Sequence, residues 1–343
     1  MHSYRLNSEV NEIEGVYQIK TDLPFPVKFV SNYLIKIDED TNILIDAGFN
    51  FSNWRKTFFA ALKTINISPK DIDYCLVTHE HIEHIGLLQK LKELNPNIQI
   101  VMHEITHENI QWQTDVNNRQ EIKNSAKDLA KEMVQYGMSE TQGKRVVDFF
   151  MIWTKLLPYQ KPDKIVKDLD EISCGTRDLQ IIWTPGHSLG HMCILDKKNQ
   201  HLFSGDHILS RITPHVGIFT RSPRLKEIIE FDNMLDLFLK SLEKVNKLNT
   251  KIIFPGHQEI IYDVSDRISA MKEHHQKRLK EVLEVIRNNP MTPLQISLLH
   301  FGENLDEMNR YMALNEVLSH LIYLEKQDKV KRIEKNGKIL FTS

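Results

Sequence analysis

The sequence predicts a mixed α/β protein, for which an αβ/βα sandwich is the suitable arrangement, and three observations predict it. The first third of the 343-residue chain alternates strand-like and helix-like spacing. Four separated apolar runs, near residues 74–77, 179–183, 201–204 and 252–254, each lead into a turn that carries histidine or aspartate. A stretch of about 60 residues after His103 then shows helical spacing and no convincing strand, so it reads as a helical insert rather than a connection.

Taken in order, residues 16–20, 32–37 and 42–46 read as strands, followed by an aromatic-rich helix from Ser52 to about Thr64. Residues 74–77 form the apolar run before a histidine cluster; 87–94 reads as a helix and 98–102 as a strand. The insert spans about 103–163. Its large apolar residues Trp112, Met133, Tyr136, Met138, Phe149, Phe150, Met151 and Trp153 could cover a cleft as a lid for an apolar group. Equally they could form a helical core or a dimer face. His103 and His107 are expected at the surface or at a helix start. Residues 264–288 read as a helix with a largely polar face, broken by Pro290 and Pro293. Helical spacing follows, and then a hairpin (330–334 with 338–341) around Asn336-Gly337, a pair suited to a tight two-residue turn. Short helices and a terminal hairpin suggest a winged-helix-like shape.

Composition excludes several classes. Net charge is −2 with 26% charged residues, so nothing draws the chain in bulk toward nucleic acid or an anionic membrane. No apolar stretch approaches the roughly 20 residues of a membrane span. Residues 1–7 carry no apolar leader, and Cys75, Cys174 and Cys193 are too few and scattered for a disulfide framework. The expectation is a cytoplasmic protein, with Cys75 and Cys193 as core residues of strands.

Chemistry concentrates in Thr78-His79-Glu80-His81-Ile82-Glu83-His84. With 16 histidines in the chain, His-x-His-x-x-His would arise somewhere by chance with odds of roughly 3 in 100, so metal binding is the better reading. Neutral imidazole is the commonest protein ligand for zinc, and a short turn can aim His79 and His81 at one ion while Glu83 and His84 reach another. The remaining ligands are sought on the other strand-to-loop turns: Gly186-His187, Gly205-Asp206 and Gly256-His257, with Asp46-Ala47-Gly48 upstream. Thr78 and Asp46 are expected behind the ligands, because metal-bound imidazoles usually donate their second N–H to an oxygen. His191 reads as structural, and His207 and His215 as cleft residues. Ser188 and Ser204 stand beside ligands without an evident base.

At these residues the chain resembles the metallo-β-lactamase-fold superfamily of hydrolases, whose motifs occur in order as Asp46, His79 to His84, His187, Asp206 and His257. The resemblance covers about residues 14–260 and implies a four-layer αβ/βα sandwich. It implies that His79, His81 and His187 hold a first metal, that Glu83, His84 and His257 hold a second, and that Asp206 bridges them. Glu83 departs from the family's aspartate, which places the second site in question. The implied cofactors are two divalent ions, zinc first, with manganese or iron as alternatives. They would acidify a shared water into hydroxide, with Glu83 and Asp206 as the catalytic carboxylates. Residues 313–324 resemble the helix before the wing in a subgroup containing hydroxyacylglutathione-hydrolase-like proteins and β-lactamase-like endoribonucleases. This divides the chain into 1–263 and a winged-helix-like 264–343.

Three functions are weighed. Hydrolysis of a small thioester, ester or lactone is favoured by the neutral charge and the apolar insert. The alternatives are a metal-dependent endonuclease on single-stranded nucleic acid and a metal-binding regulatory protein with an impaired second site. From Ser265 onward 13 Lys and Arg stand against 11 Asp and Glu, thin for phosphate binding. Packing or homodimerisation is therefore favoured for the C-terminal segment, with a small molecule as substrate.

Overall fold

A computed structural model describes residues 6–23, 28–39, 41–217, 221–230 and 233–343. The reading of the extreme N-terminus falls mostly on residues 1–5, outside the described residues.

The first sheet runs β1 (Ser8–Ile13), β2 (Val16–Asp22), β3 (Phe29–Lys36), β4 (Asn42–Ile45), β5 (Tyr74–Leu76), β6 (Gln99–His103) and β7 (Lys164–Val166), in that spatial order. Pairing is antiparallel as far as β4 and parallel beyond it. Its crossovers carry α1 (Ser52–Thr64), then α2 (Ile82–Ile85) and α3 (Leu88–Leu94), then the insert helices α4 (Glu104–Thr114), α5 (Arg119–Gln135) and α6 (Glu140–Leu156). The second sheet comprises β8 (Glu171–Cys174), β9 (Arg177–Trp183), β10 (Met192–Asp196), β11 (His201–Gly205) and β12 (Ile252–Pro255), with β10 central and β11 between it and a parallel edge strand, β12. Helices α7 (Leu225–Ile228) and α8 (Met234–Asn246) lie between β11 and β12. The chain closes with α9 (Val264–Ile286), α10 (Pro293–Phe301), α11 (Glu307–Glu325) and the hairpin β13 (Lys331–Lys335) and β14 (Lys338–Thr342).

Strand residues point alternately to two faces, and here both faces are buried. Ile43, Ile45 and Leu76 face a core between the sheets, where they join Ile181, Ile194, Phe203 and Phe254. Leu44, Cys75 and Val77 face the opposite way, under Trp54 and Phe58 of α1 and Leu88 and Leu91 of α3. From the second sheet Ile182, Cys193, Leu195 and Leu202 face outward onto α8, α9 and α11. The layers are therefore helix, sheet, sheet, helix: the four-layer sandwich. Cys75 and Cys193 are buried strand residues, as is Cys174.

Several elements differ from the sequence reading. β1 carries only Val10 and Ile13 as apolar residues, and as an edge strand it is largely open to water. The histidine cluster itself makes a helical turn, α2, whose start at His81 swings His84 back toward His79. The insert is helical as expected, but Met133, Tyr136, Met138 and Phe150 are buried in one cluster with Leu279, Leu314, Val317 and Phe341 from the C-terminal segment. Met133, Tyr136 and Phe150 are spent in that core, while Met138, with Phe149, also lines a cavity against Met308 and Tyr311. His103 caps α4 as a helix-start residue but is 2% exposed, stacked on Trp183 rather than at the surface. Of the C-terminal helices, α9 fills about its expected span and α10 is short at 9 residues, but α11 is long at 19. The hairpin turn is as expected: Asn336 and Gly337 both adopt left-handed φ, +53° and +69°.

Candidate metal centre

The site is assembled at one edge of the sandwich, from residues that follow strand ends. Asp46 follows β4 in a left-handed conformation, φ +62°. Its Oδ1 accepts the Thr78 backbone N–H at 2.8 Å, and its Oδ2 accepts the Thr78 hydroxyl at 2.9 Å and faces His84 Nδ1 at 2.8 Å. One carboxylate thus ties the end of β5 to α2.

That network sets the imidazoles. The Thr78 hydroxyl has one proton and gives it to Asp46, so it accepts from His79 Nδ1 at 3.0 Å and leaves the Nε2 lone pair free. His187 Nδ1 donates to the His215 carbonyl at 3.0 Å, and His257 Nδ1 to the Phe29 carbonyl at 2.7 Å. Each Nε2 is thereby aimed inward, where His81 Nδ1 lies 3.0 Å from His79 Nε2 and 3.2 Å from His187 Nε2. Asp206 stands between the two groups. Its Oδ2 is 3.4 Å from His257 Nε2, 3.7 Å from His187 Nε2 and 4.0 Å from His79 Nε2, and its Oδ1 is 3.6 Å from His84 Nε2.

Ligand atoms of His79, His81, His187 and Asp206 lie within 4.8 Å of one another, as do those of Glu83, His84 and His257. His84 Nε2 and Asp206 Oδ1 are buried with no hydrogen-bond partner among the described residues. Buried polar atoms left in this state are rare without a reason, and a nitrogen–oxygen donor set around them fits divalent cations. Burial depresses His79 well below the usual imidazole range, His81 to about 4 and His187 to about 3, so these three offer lone pairs at neutral pH. His84 goes the other way: burial lowers it, but Asp46, Asp206 and Glu83 together carry it up to about 9. Asp206 also raises His257 against the effect of burial. Burial would raise Asp206, yet His257 and His84 hold it well below the carboxylate range.

Close packing explains two glycines. A Cβ on Gly256 would sit 2.5 Å from Asp206 Oδ1 and 2.9 Å from His84 Cε1. One on Gly205, at φ +48°, would sit 2.7 Å from both His191 Nε2 and the Thr78 side chain.

The neighbouring histidines divide. His191 uses both nitrogens, Nε2 accepting the Asp206 backbone N–H at 3.2 Å and Nδ1 donating to Thr184 Oγ1 at 2.9 Å, so it orients the Asp206 turn and has no lone pair to give a metal. His207 is fully buried against the Phe238 ring at 5.0 Å and is not a cleft residue. Ser204 donates to the Ile208 carbonyl. Ser188, expected to lack a basic partner, donates to Glu80 Oε2 at 2.5 Å, while Asn109 donates to the other Glu80 oxygen at 3.3 Å. This bond joins the His79–His81 turn to the His187 turn. Glu80 and Asn109 were not singled out from sequence; only the position of Glu80 between two ligands hinted at it.

The chain is similar to known proteins along most of its length. The family model described as "Metallo-beta-lactamase superfamily" matches residues 26–257, and "Metallo-beta-lactamase-like, C-terminal domain" matches 279–343. A probable metallo-hydrolase, YqjP, of Bacillus subtilis is 23% identical over 96% of this chain and 98% of its own length. An atrochrysone carboxyl ACP thioesterase of Emericella nidulans is 24% identical over 48% of this chain and 46% of its own. The crystal structure of a metallo-beta-lactamase family protein from Thermus thermophilus superposes with a TM-score of 0.77 at 24% identity, covering 96% of this chain and 99% of that one. No helix among the described residues is long and apolar enough to cross a membrane.

Proposed function

The chain belongs to the metallo-beta-lactamase superfamily of hydrolases, and on that premise we propose that this metal-dependent hydrolase cleaves small thioesters, with related esters and lactones as further substrates. The observation that carries the reading is Asp206, whose two oxygens lie between two separate groups of ligand atoms.

In this reading His79, His81 and His187 hold one divalent ion, Glu83, His84 and His257 a second, and Asp206 reaches both. Zinc is the first choice for this donor set, with manganese or iron as alternatives. When bound, such ions supply Lewis acidity, which lowers the pKa of water and polarises a carbonyl oxygen. The chain supplies the rest. His79, His81 and His187 are neutral at neutral pH, and the hydrogen bonds made by Nδ1 of His79 and of His187 leave the Nε2 lone pairs of those two rings facing inward. Asp46 and Thr78 fix the orientation of the His84 and His79 rings. The thioester preference draws on the relatives named ACP thioesterases and on the near-neutral charge.

Residues 1–263 would carry the candidate ligands and 264–343 would form a winged-helix-like segment that shares a core with them, in a cytoplasmic protein able to pair with a second copy. Cations of the terminal hairpin are partly engaged in holding it down. Arg332 pairs with Glu325 at 2.7 Å and lies over the Phe341 ring, and Lys338 donates to the Val134 and Met138 carbonyls at 2.7 and 3.2 Å. That weighs against a nucleic-acid surface. The test is an assay of zinc-loaded protein on acyl thioesters, lactones and single-stranded RNA. Thioester turnover lost on chelation, restored by zinc, and little changed between about 50 and 200 mM salt is expected. RNA cleavage that falls steeply over that salt range, with no thioester turnover, would overturn the proposal in favour of a nuclease.

A further inference from the structure

We infer that the C-terminal helices complete the metal centre, and that Glu316 of α11 is a positioning residue acting on His187 through the loop 207–217. That loop follows Asp206 directly and reaches α11 without a strand or helix of its own. It carries His215, whose carbonyl accepts the His187 Nδ1 proton at 3.0 Å and so fixes the angle of that ring.

What fixes the carbonyl lies outside the loop. Arg267 of α9 donates from Nε to the Leu209 carbonyl at 2.6 Å and from Nη2 to the Ile212 carbonyl at 2.7 Å. Gln258, just after His257, accepts from the Arg211 N–H at 2.7 Å. Near the far end Glu316 Oε2 stands 3.8 Å from His215 Nδ1. At Gly217 the loop comes close to α11, where a Cβ would be 3.0 Å from the Asn315 Cβ. Glu316 is itself held: burial would raise its carboxyl, but His215, His320 and Arg278 bring it down to about 2, so it is a fixed negative charge at neutral pH. The C-terminal segment thus contacts both ends of the loop that orients the candidate ligand His187. The His215 carbonyl is the direct partner of the candidate ligand, and partners in that place are typically worth about 10- to 100-fold in metal affinity or activity.

The inference rests on the metal-binding reading and is independent of the thioester. Its test is the zinc affinity of chelator-stripped full-length protein, measured by competition with a chromophoric chelator, beside melting temperature and kcat and KM on any substrate the wild type turns over. Glu316→Gln is expected to weaken zinc binding about tenfold and to lower kcat more than it raises KM, with the melting temperature nearly unchanged. Glu316→Asp should recover part of the loss. In a His215→Ala background, Glu316→Gln should add nothing. Unchanged zinc affinity in a folded Glu316→Gln protein, or effects of the two substitutions that simply add, would overturn the inference. Should Glu316→Gln fail to fold, His215→Ala alone must show the tenfold loss, and wild-type affinity there would overturn it equally. A wild type that binds no zinc is a different result, which removes the metal centre itself.

Discussion

His79 and His84 lie on one short turn, both are buried, and they carry opposite protonation because of what stands behind each. Thr78 offers His79 a hydroxyl oxygen, so desolvation and the surrounding imidazoles keep the ring neutral. Asp46 offers His84 a carboxylate, and the charge holds a proton on the ring up to about pH 9. A raised pKa means that the proton is present at neutral pH and leaves only as pH passes about 9, so in metal-free protein the Glu83–His84–His257 group must shed protons to take an ion. The group of His79, His81 and His187 need not, until pH falls to about 4, where His81 protonates. Calorimetric titration of stripped protein in buffers of different ionisation enthalpy should therefore show proton release of about one to two per ion for the weaker event at pH 7, fading above pH 9. Release of equal size for both events would contradict the assignment. The candidate ligands were legible in sequence because each is a histidine or carboxylate on a turn after an apolar strand. Glu316 and Asn109 were not, since their roles depend on which helix face meets a turn more than 25 residues away, and no local pattern encodes that.

At the scale of elements, legibility follows burial. Strands β4, β5 and β12 are buried on both faces and read as apolar runs, whereas β1 is a half-exposed edge that composition does not mark. Helices α5 and α6 were legible as helices, but an apolar stripe does not say what covers it, so lid and core stayed equal until their partners were seen. The structure places Phe150 at 2% exposure, its ring 6.1 Å from that of Tyr311 on α11. Phe150→Ala should then destabilise the fold by about 3–5 kcal/mol, as large-to-small changes in packed cores do, and leave KM unchanged. Denaturant melts beside steady-state kinetics decide this: a raised KM with intact stability would return the insert to a lid.

For the whole molecule the question is whether 264–343 is an addition or a part. One buried cluster runs from Ile105, Met133 and Phe150 in the insert, through Cys193 and Leu202 of the second sheet and Phe238 of α8, to Met271, Leu314 and Phe341 beyond residue 264. A core built from both sides of a boundary has no surface along which to divide, and cutting it exposes apolar side chains on each part at roughly 25 cal/mol per Å². The two family matches, 26–257 and 279–343, therefore do not correspond to two separate cores. Truncation after Asp263 should leave Phe238, Val216 and Met133 without their cover and remove Arg267 and Glu316 from the loop that follows Asp206. The full chain is expected to unfold in one transition, and the truncated chain to lose that transition, to bind a hydrophobic dye and to retain little zinc. A truncated protein that melts as sharply as the full chain and holds as much zinc would show that the last 80 residues, 264–343, are a separable module after all.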